Sequence, residues 1–252
     1  MQQPYAKLCA TLLLTLLSGV LHADEVRVAV AANFAAPLKA LAIAFEKDSG
    51  HKLLLSAGAS GKLYAQIKSG APFDVFLSAD EETPAKLERE GNAVAGSRFT
   101  YAVGKLVLWS AQADLVDAQG EVLKSGNFSH LALAAPNLAP YGAAAVQTLT
   151  ALGLLGALTP RFVLGESIGQ TYSFVASGNA QLGFIALSQV YEMGRISKGS
   201  GWIVPAQLYH PLRQDAVLLL AGRDKPAAQA LLAFLKTQQC KTVLRSFGYE
   251  IP

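Results

Sequence analysis

Residues 26–61 read VRVAVAANFAAPLKALAIAFEKDSGHKLLLSAGASG, and this stretch decides the fold. Val26 to Ala31 is an apolar run interrupted only by Arg27, the pattern of a buried strand. Leu38, Leu41, Ala42 and Phe45 then recur at helical spacing, and Gly50 stands where a helix C-terminus favours glycine. Leu53 to Leu55 starts a second strand. Further on, Leu63 and Ile67 share one face of a second helix ending near Gly70, and Val75 to Leu77 form a third strand. Asp80 is placed to cap the helix that follows.

The alternation continues outward. Phe99 to Ser110 is a long extended stretch. Leu131–Ala134, Arg161–Leu164 and Leu182–Ala186 read as strands, with helices over Ala143–Leu152 and Ile168–Ala176. Val217–Leu220 is a further strand. Helices over Ala227–Lys236 and Cys240–Phe247 close the chain. Repeated strand–helix units predict mainly parallel sheets with helices on both faces. The extended pieces near 99–110 and 203–220 separate two such groups. They are read as crossings between lobes, with the C-terminal helices returning to the first. The expected division is 24–103 plus 212–252 for lobe 1 and 104–211 for lobe 2.

The first 23 residues are expected to be a signal peptide. Lys7 is their one charge, Leu8–Leu17 is a short apolar core, and Ala23 precedes the charged Asp24-Glu25. Cys9 lies inside the apolar run, which does not suit a lipid anchor. The remaining 229 residues carry a net charge of +2 and a single cysteine, Cys240. They contain no run long enough to span a membrane, so a soluble mature protein is expected. No basic stripe suggests nucleic acid, and one cysteine makes neither a disulfide framework nor a zinc site.

Four strand-to-helix turns lack charged side chains: Ala31-Ala-Asn-Phe34, Gly58-Ala-Ser-Gly61, Pro140-Tyr-Gly142 and Ser167-Ile-Gly169. In open α/β sheets ligands bind at the carboxyl ends of the strands. Each helix start offers free N–H groups and roughly half a positive charge, so four converging would sum to about +2. Asn33, Ser60 and Tyr141 would add neutral donors. Such a cleft suits a fully ionised oxyanion, which only accepts hydrogen bonds. Taken singly, each turn also reads as an ordinary helix cap, and Tyr141 as a packing residue.

Across these residues the chain resembles the periplasmic molybdate-binding proteins of ABC transporters. The likeness lies in Val28-Ala-Val-Ala-Ala-Asn-Phe34, Gly58-Ala-Ser-Gly-Lys-Leu-Tyr-Ala-Gln66, Gly70-Ala-Pro-Phe-Asp-Val-Phe-Leu-Ser-Ala-Asp80, Ala139-Pro-Tyr-Gly142 and Leu182-Gly-Phe-Ile-Ala-Leu-Ser188. The resemblance implies the type II periplasmic-binding-protein fold, two α/β lobes closing on molybdate or tungstate in the cleft between them. It implies a binding protein and no enzyme, with no cofactor and no metal cation, since molybdenum enters only as the oxyanion. It further implies a periplasmic monomer that delivers its ligand to a membrane permease. By position, Asn33 falls at the first-turn ligand site, Ser60 at the second-turn hydroxyl, and Ile168 where a backbone N–H contributes. A tyrosine that many members carry after Leu182-Gly183 is here Ala186. Tyr141 stands where many carry a small residue, and is expected to supply the missing phenol.

Other readings stay open. A receptor for another oxyanion such as sulfate would show the same turns. Gly165-Glu-Ser-Ile-Gly169 spells the nucleophile elbow of a serine hydrolase, with Ser167, Glu192 and His210 in triad order. However, His210 follows after only 43 residues, and no oxyanion segment of that family is present. Gly61-Lys62 lacks the rest of a phosphate loop, so Lys62 is expected to be a solvated helix residue. His51, His130 and His210 lack metal-ligand spacing. Asp74 and Asp80 could form a cation site or an acid–base pair, although Asp80 is better read as a cap.

Overall fold

The computed structural model describes residues 24–252; the expected signal peptide and Cys9 lie outside the described residues. Strand β1 (Glu25–Ala31) leads through a single 3-10 turn (Ala32–Phe34) into α1 (Ala35–Ser49). There follow β2 (Lys52–Gly58), α2 (Ser60–Lys68), β3 (Val75–Leu77), α3 (Glu82–Arg89), β4 (Phe99–Gly104) and β5 (Leu106–Ser110). Next come α4 (Val122–Ser125), β6 (Leu131–Ala134), α5 (Pro140–Ala151), α6 (Leu155–Leu158), β7 (Phe162–Gly165), α7 (Ile168–Ala176) and β8 (Leu182–Ala186). A short hairpin, β9 (Tyr191–Glu192) and β10 (Arg195–Ile196), precedes β11 (Ser200–Ile203) and β12 (Leu212–Leu218). Helices α8 (Pro226–Phe234) and α9 (Gln238–Ser246) end the chain.

These strands form two five-stranded sheets, ordered β2-β1-β3-β12-β4 and β11-β5-β8-β6-β7. Each is parallel except for one strand, β12 in the first and β5 in the second. The chain passes between the sheets at Lys105 and again between Ile203 and Leu212. The extended pieces of sequence thus contain the crossings, and the two reversed strands lie beside them. Each sheet with its helices is one lobe of a two-lobed α/β fold.

Period-two alternation explains why each sheet carries helices on both faces. Along β1, Val26, Val28 and Val30 pack with Leu38, Leu41, Leu231 and Leu244 of α1, α8 and α9. The intervening Ala29 packs instead with Leu63, Ile67 and Leu87 of α2 and α3. In the second sheet Leu106, Leu108, Leu131 and Leu133 face Ala145 and Leu149 of α5. Val107, Trp109 and Ile185 face Val175 of α7. Burying each Val, Leu or Ile side chain stabilises by roughly 1.5–3 kcal/mol, so both faces of both sheets are fixed. Among the described residues, no single helix is long and apolar enough to cross a membrane.

Candidate anion-binding site

The carboxyl ends of β1, β2, β6 and β7 deliver four helix starts to one small cavity. It is lined by Ala31, Ala32 and Asn33, by Gly58, Ala59 and Ser60, by Ala139, Pro140 and Tyr141, and by Ile168 and Ala79. Asn33, Ser60, Tyr141 and Ile168 therefore meet across the lobes. No charged side chain lines the cavity, and all four residues are buried.

The helix starts differ from ordinary caps. The first turn after β1, α2 and α5 have alanines at the N-cap, Ala31, Ala59 and Ala139, with no side-chain cap. Helix α5 opens with Pro140 at its first position, so Tyr141 sits inside its first turn and not in a turn before it. Only α7 is capped by a side chain here, Ser167 Oγ accepting from Gln170 N–H at 3.3 Å. The N–H groups of Tyr141 and Ile168 make no hydrogen bond within the described residues. They are orphan donors of a helix N-terminus, beside a cavity lined by small side chains.

Ser60 is the first residue of α2, and its hydroxyl does not cap that helix. Oγ accepts from the Ala79 N–H at 3.0 Å and from Ser78 Oγ at 3.2 Å. Ser78 Oγ also lies 3.3 Å from Asp80 Oδ1, and when its one proton goes to Ser60 the Ser60 proton is available to donate. Asp80 stands behind this pair. Its carboxylate accepts from Thr83 N–H at 2.7 Å and from Thr83 Oγ1 at 2.9 Å. Asp80 thus braces the first turn of α3 from the residue before its N-cap, Glu81, and burial raises its carboxyl above its ordinary value.

Asn33 and Tyr141 are joined through Gln214, and Asn33 is held by Tyr249, two residues that the motifs do not reveal. Asn33 Nδ2 donates to Gln214 Oε1 and to the Tyr249 hydroxyl, both at 2.9 Å. Gln214 Nε2 donates to the Tyr141 hydroxyl at 3.0 Å. Ser188 Oγ donates to the Asn33 carbonyl at 2.9 Å, and the Tyr101 hydroxyl donates to the Ser78 carbonyl at 2.9 Å. Gln214 and Tyr249 come from β12 and the C-terminal segment, far along the chain, and only the return of the C-terminal residues to the first lobe places them here. Burial holds the phenols of Tyr101 and Tyr141 well above their ordinary value, and pushes Tyr249 up as well. The site is neutral over the whole physiological range. Ala186 ends β8, fully buried, and does not line the cavity.

The lobes touch around this cavity. Gly61 N–H donates to the Leu138 carbonyl at 3.0 Å. A Cβ at Gly61 would meet that oxygen at 3.1 Å and Leu138 Cα at 3.2 Å, a tight contact that Leu138 must relieve by a few tenths of an ångström. Lys62, expected to be solvated, instead reaches across to Glu166 at 2.6 Å, both half-exposed or more. These contacts define a closed arrangement of the two lobes.

The competing constellations do not assemble. Ser167 lines a groove with Lys62 and Glu166, whereas His210 lines a different one with Gln147 and Arg213. Glu192 is in the β9–β10 hairpin, opposite Arg195. Asp74 and Asp80 flank β3 at opposite ends; Asp74 accepts from Arg27 N–H at 2.9 Å and pairs with Lys225 at 2.8 Å. Among the described residues no cluster of three His, Cys, Asp or Glu side chains could hold a metal ion.

Residues 26–250 match the family described as bacterial extracellular solute-binding protein. The chain is 58% identical to the molybdate-binding protein ModA of Azotobacter vinelandii, over 94% of each chain. It is 51% identical to ModA of Rhodobacter capsulatus, over 90% of this chain and 88% of that one. The solved structure of the Azotobacter vinelandii periplasmic molybdate-binding protein superposes with a TM-score of 0.87 at 46% identity, covering 90% of this chain and 99% of that one. By sequence and by fold, the chain belongs to the bacterial extracellular solute-binding protein family, alongside the molybdate-binding proteins to which it is similar.

Proposed function

We propose that this chain is a periplasmic receptor that binds molybdate, and tungstate with it, and delivers the anion to the membrane permease of an ABC transporter. The observation that carries the reading is a cavity lined by four helix starts and neutral donors alone. A fully ionised oxyanion accepts at every oxygen, so uncharged N–H and O–H groups and helix dipoles satisfy it. The contributing groups are the Ser60 hydroxyl, the Ile168 N–H, and Asn33 and Tyr141. The chain acts as a monomer after loss of residues 1–23. Residues 24–103 with 212–252, and residues 104–211, are the two lobes, turning about Lys105 and the segment after Ile203. The kinship with named binding proteins, and the separation of Ser167 from His210, support binding and not hydrolysis.

The test is thermal unfolding of the mature protein with molybdate, tungstate or sulfate at equal concentration. A ligand bound only by the folded state stabilises by RT ln(1 + [L]/Kd), about 2.7 kcal/mol at 100 times Kd. Molybdate and tungstate should each raise the melting temperature strongly and sulfate much less, because donors set for a larger tetrahedron leave gaps around a smaller one. Equal shifts with sulfate would replace this reading with a general oxyanion receptor.

A further inference from the structure

Behind the cavity wall, the hydrogen bonds of Asn33 and Tyr141 run through one side chain. Gln214 is fully buried in β12, where the strand's pairing with β4 shifts register between Gln214 and Asp215. Its oxygen accepts from Asn33 and its nitrogen donates to Tyr141. The phenol oxygen therefore accepts, and its own proton has no partner within the described protein. At the other end, both Asn33 N–H groups are taken by Gln214 and Tyr249, and the buried Asn33 Oδ1 has no partner. The chain thus ends in a free donor on Tyr141 and a free acceptor on Asn33.

A side-chain amide exchanges its oxygen and nitrogen by a half-turn with little change of shape. If Asn33 and Gln214 both turn, the contacts Asn33–Gln214, Asn33–Tyr249 and Gln214–Tyr141 survive with their direction reversed. Tyr141 then donates to Gln214 Oε1, and Gln214 Nε2 donates to Asn33 Oδ1. Tyr249 donates to the same Asn33 oxygen and gives up its 3.1 Å bonds to the Asn33 carbonyl and Ser188 Oγ, while Ser188 still donates to that carbonyl. Tyr101, 3.1 Å from Gln214 Oε1 in the arrangement seen, keeps its proton on the Ser78 carbonyl and can accept from the second Gln214 N–H. The free donor is now Asn33 Nδ2. Gln214 has one oxygen and one nitrogen, so whichever faces Asn33, the other faces Tyr141. Both ends cannot donate outward at once without setting a lone pair against a lone pair. The fit around the relay is close: a Cβ at Gly104 would come within 2.0 Å of the Tyr141 hydroxyl and 2.4 Å of Gln214 Nε2.

We propose that Asn33, Gln214 and Tyr141 form one reversible relay that offers a bound oxyanion a single side-chain proton, from Tyr141 in the arrangement seen and from Asn33 in the reversed one. The two residues replace each other and do not add. Gln214 is the positioning residue that enforces this. The inference rests on the reading of the cavity as a molybdate site.

The experiment is a mutant cycle read by calorimetric titration of the mature protein with molybdate, with the ligand-free melt as a check on folding. Tyr141→Phe and Asn33→Ala should each weaken binding by less than about threefold, because the other end still donates. The double variant should weaken it about tenfold or more, the usual loss for a hydrogen bond to a charged acceptor. In a Gln214→Met background the coupling should vanish. Single losses near tenfold that multiply in the double variant would overturn the relay, as would a double variant that binds like the parent. Nuclear magnetic resonance gives a second reading should Asn33→Ala fail to fold. In Tyr141→Phe, the Asn33 side-chain amide protons should shift on saturation with molybdate, and unmoved signals would overturn the proposal. A parent protein that fails to bind molybdate overturns the ligand assignment and the relay together, whereas tight parental binding with additive losses overturns the relay alone.

Discussion

At Ser60 one atom serves both the fold and the ligand. Its hydroxyl oxygen accepts from the buried Ala79 N–H, and with Ser78 donating to it the Ser60 proton is left for an anion. Ser60→Ala should therefore lower ligand-free stability by about 1–3 kcal/mol, the cost of a buried N–H without a partner. It should also weaken molybdate binding roughly tenfold or more, since hydrogen bonds to charged groups are worth about 1.5–3 kcal/mol. Denaturant unfolding and titration calorimetry measure the two separately. Lost stability with unchanged affinity would reduce Ser60 to a brace. Ser60 stood out in the sequence because a small polar residue follows a strand and opens a helix. Gln214 and Tyr249 did not, because nothing local marks them, and Ser78 and Ser188, though inside stretches that carry the family resemblance, have no local pattern that assigns them a partner. Gln214 sits in an ordinary strand pattern, and its partners lie 181 and 73 residues away. Side-chain hydrogen bonds over such separations follow from tertiary assembly alone.

The helix over Ile168–Ala176 and the strands over Leu131–Ala134 and Leu182–Ala186 are legible to the residue, because the strands are short runs without a polar side chain and the helix opens directly after the Ser167 cap. The reversed direction of β5 and β12 was not legible. Strand direction depends on which neighbour a strand pairs with, and period-two burial looks the same either way. The start of α5 was read three residues late, because Pro140 and Gly142 resemble a turn although proline suits the first helical position. At the start of α2, Gly61 separates the stability of an element from the closure of the molecule. Gly61→Ala places a better helix former in α2, worth up to about 1 kcal/mol of stability. In the closed arrangement its methyl crowds Leu138 on the opposite lobe, and overpacking of this kind costs about 1–3 kcal/mol. The ligand-free melting temperature should hold or rise while molybdate affinity falls roughly 5- to 100-fold. A parallel fall in both would mean that the lobes are already shut without ligand. Glu166→Gln removes only a half-exposed ion pair across the cleft. It should change affinity by less than about fivefold, and less still at high salt.

For the molecule as a whole, binding and stability should respond to pH in different ways. No residue lining the cavity titrates near neutrality, so molybdate affinity should stay flat between about pH 6 and 9. Stability is another matter, because folding buries acids that must stay protonated. Burial pushes the Cys240 thiol up to about 12. It also raises the phenols of Tyr101 and Tyr141 well above their ordinary value, and Tyr249 with them. Each group has a folded pKa above its unfolded one, so the unfolded chain loses protons first as pH rises. The resulting stabilisation is fully present below the unfolded values and is lost as pH climbs toward the folded ones. Unfolded thiols ionise near pH 8.5 and phenols near pH 10. The melting temperature should therefore hold between about pH 6 and 8, decline gently above about pH 9, and fall steeply above about pH 10. Cys240→Ala should remove the gentle part only. Calorimetric melts across this range, with and without molybdate, supply the measurement. Since Tyr141 and Tyr249 belong to the site and Tyr101 adjoins it, bound anion should delay the steep fall by holding the lobes shut over their phenols. If molybdate raised the melting temperature at pH 8 yet left the alkaline midpoint where it was, the buried tyrosines would not be what unfolds the protein in base.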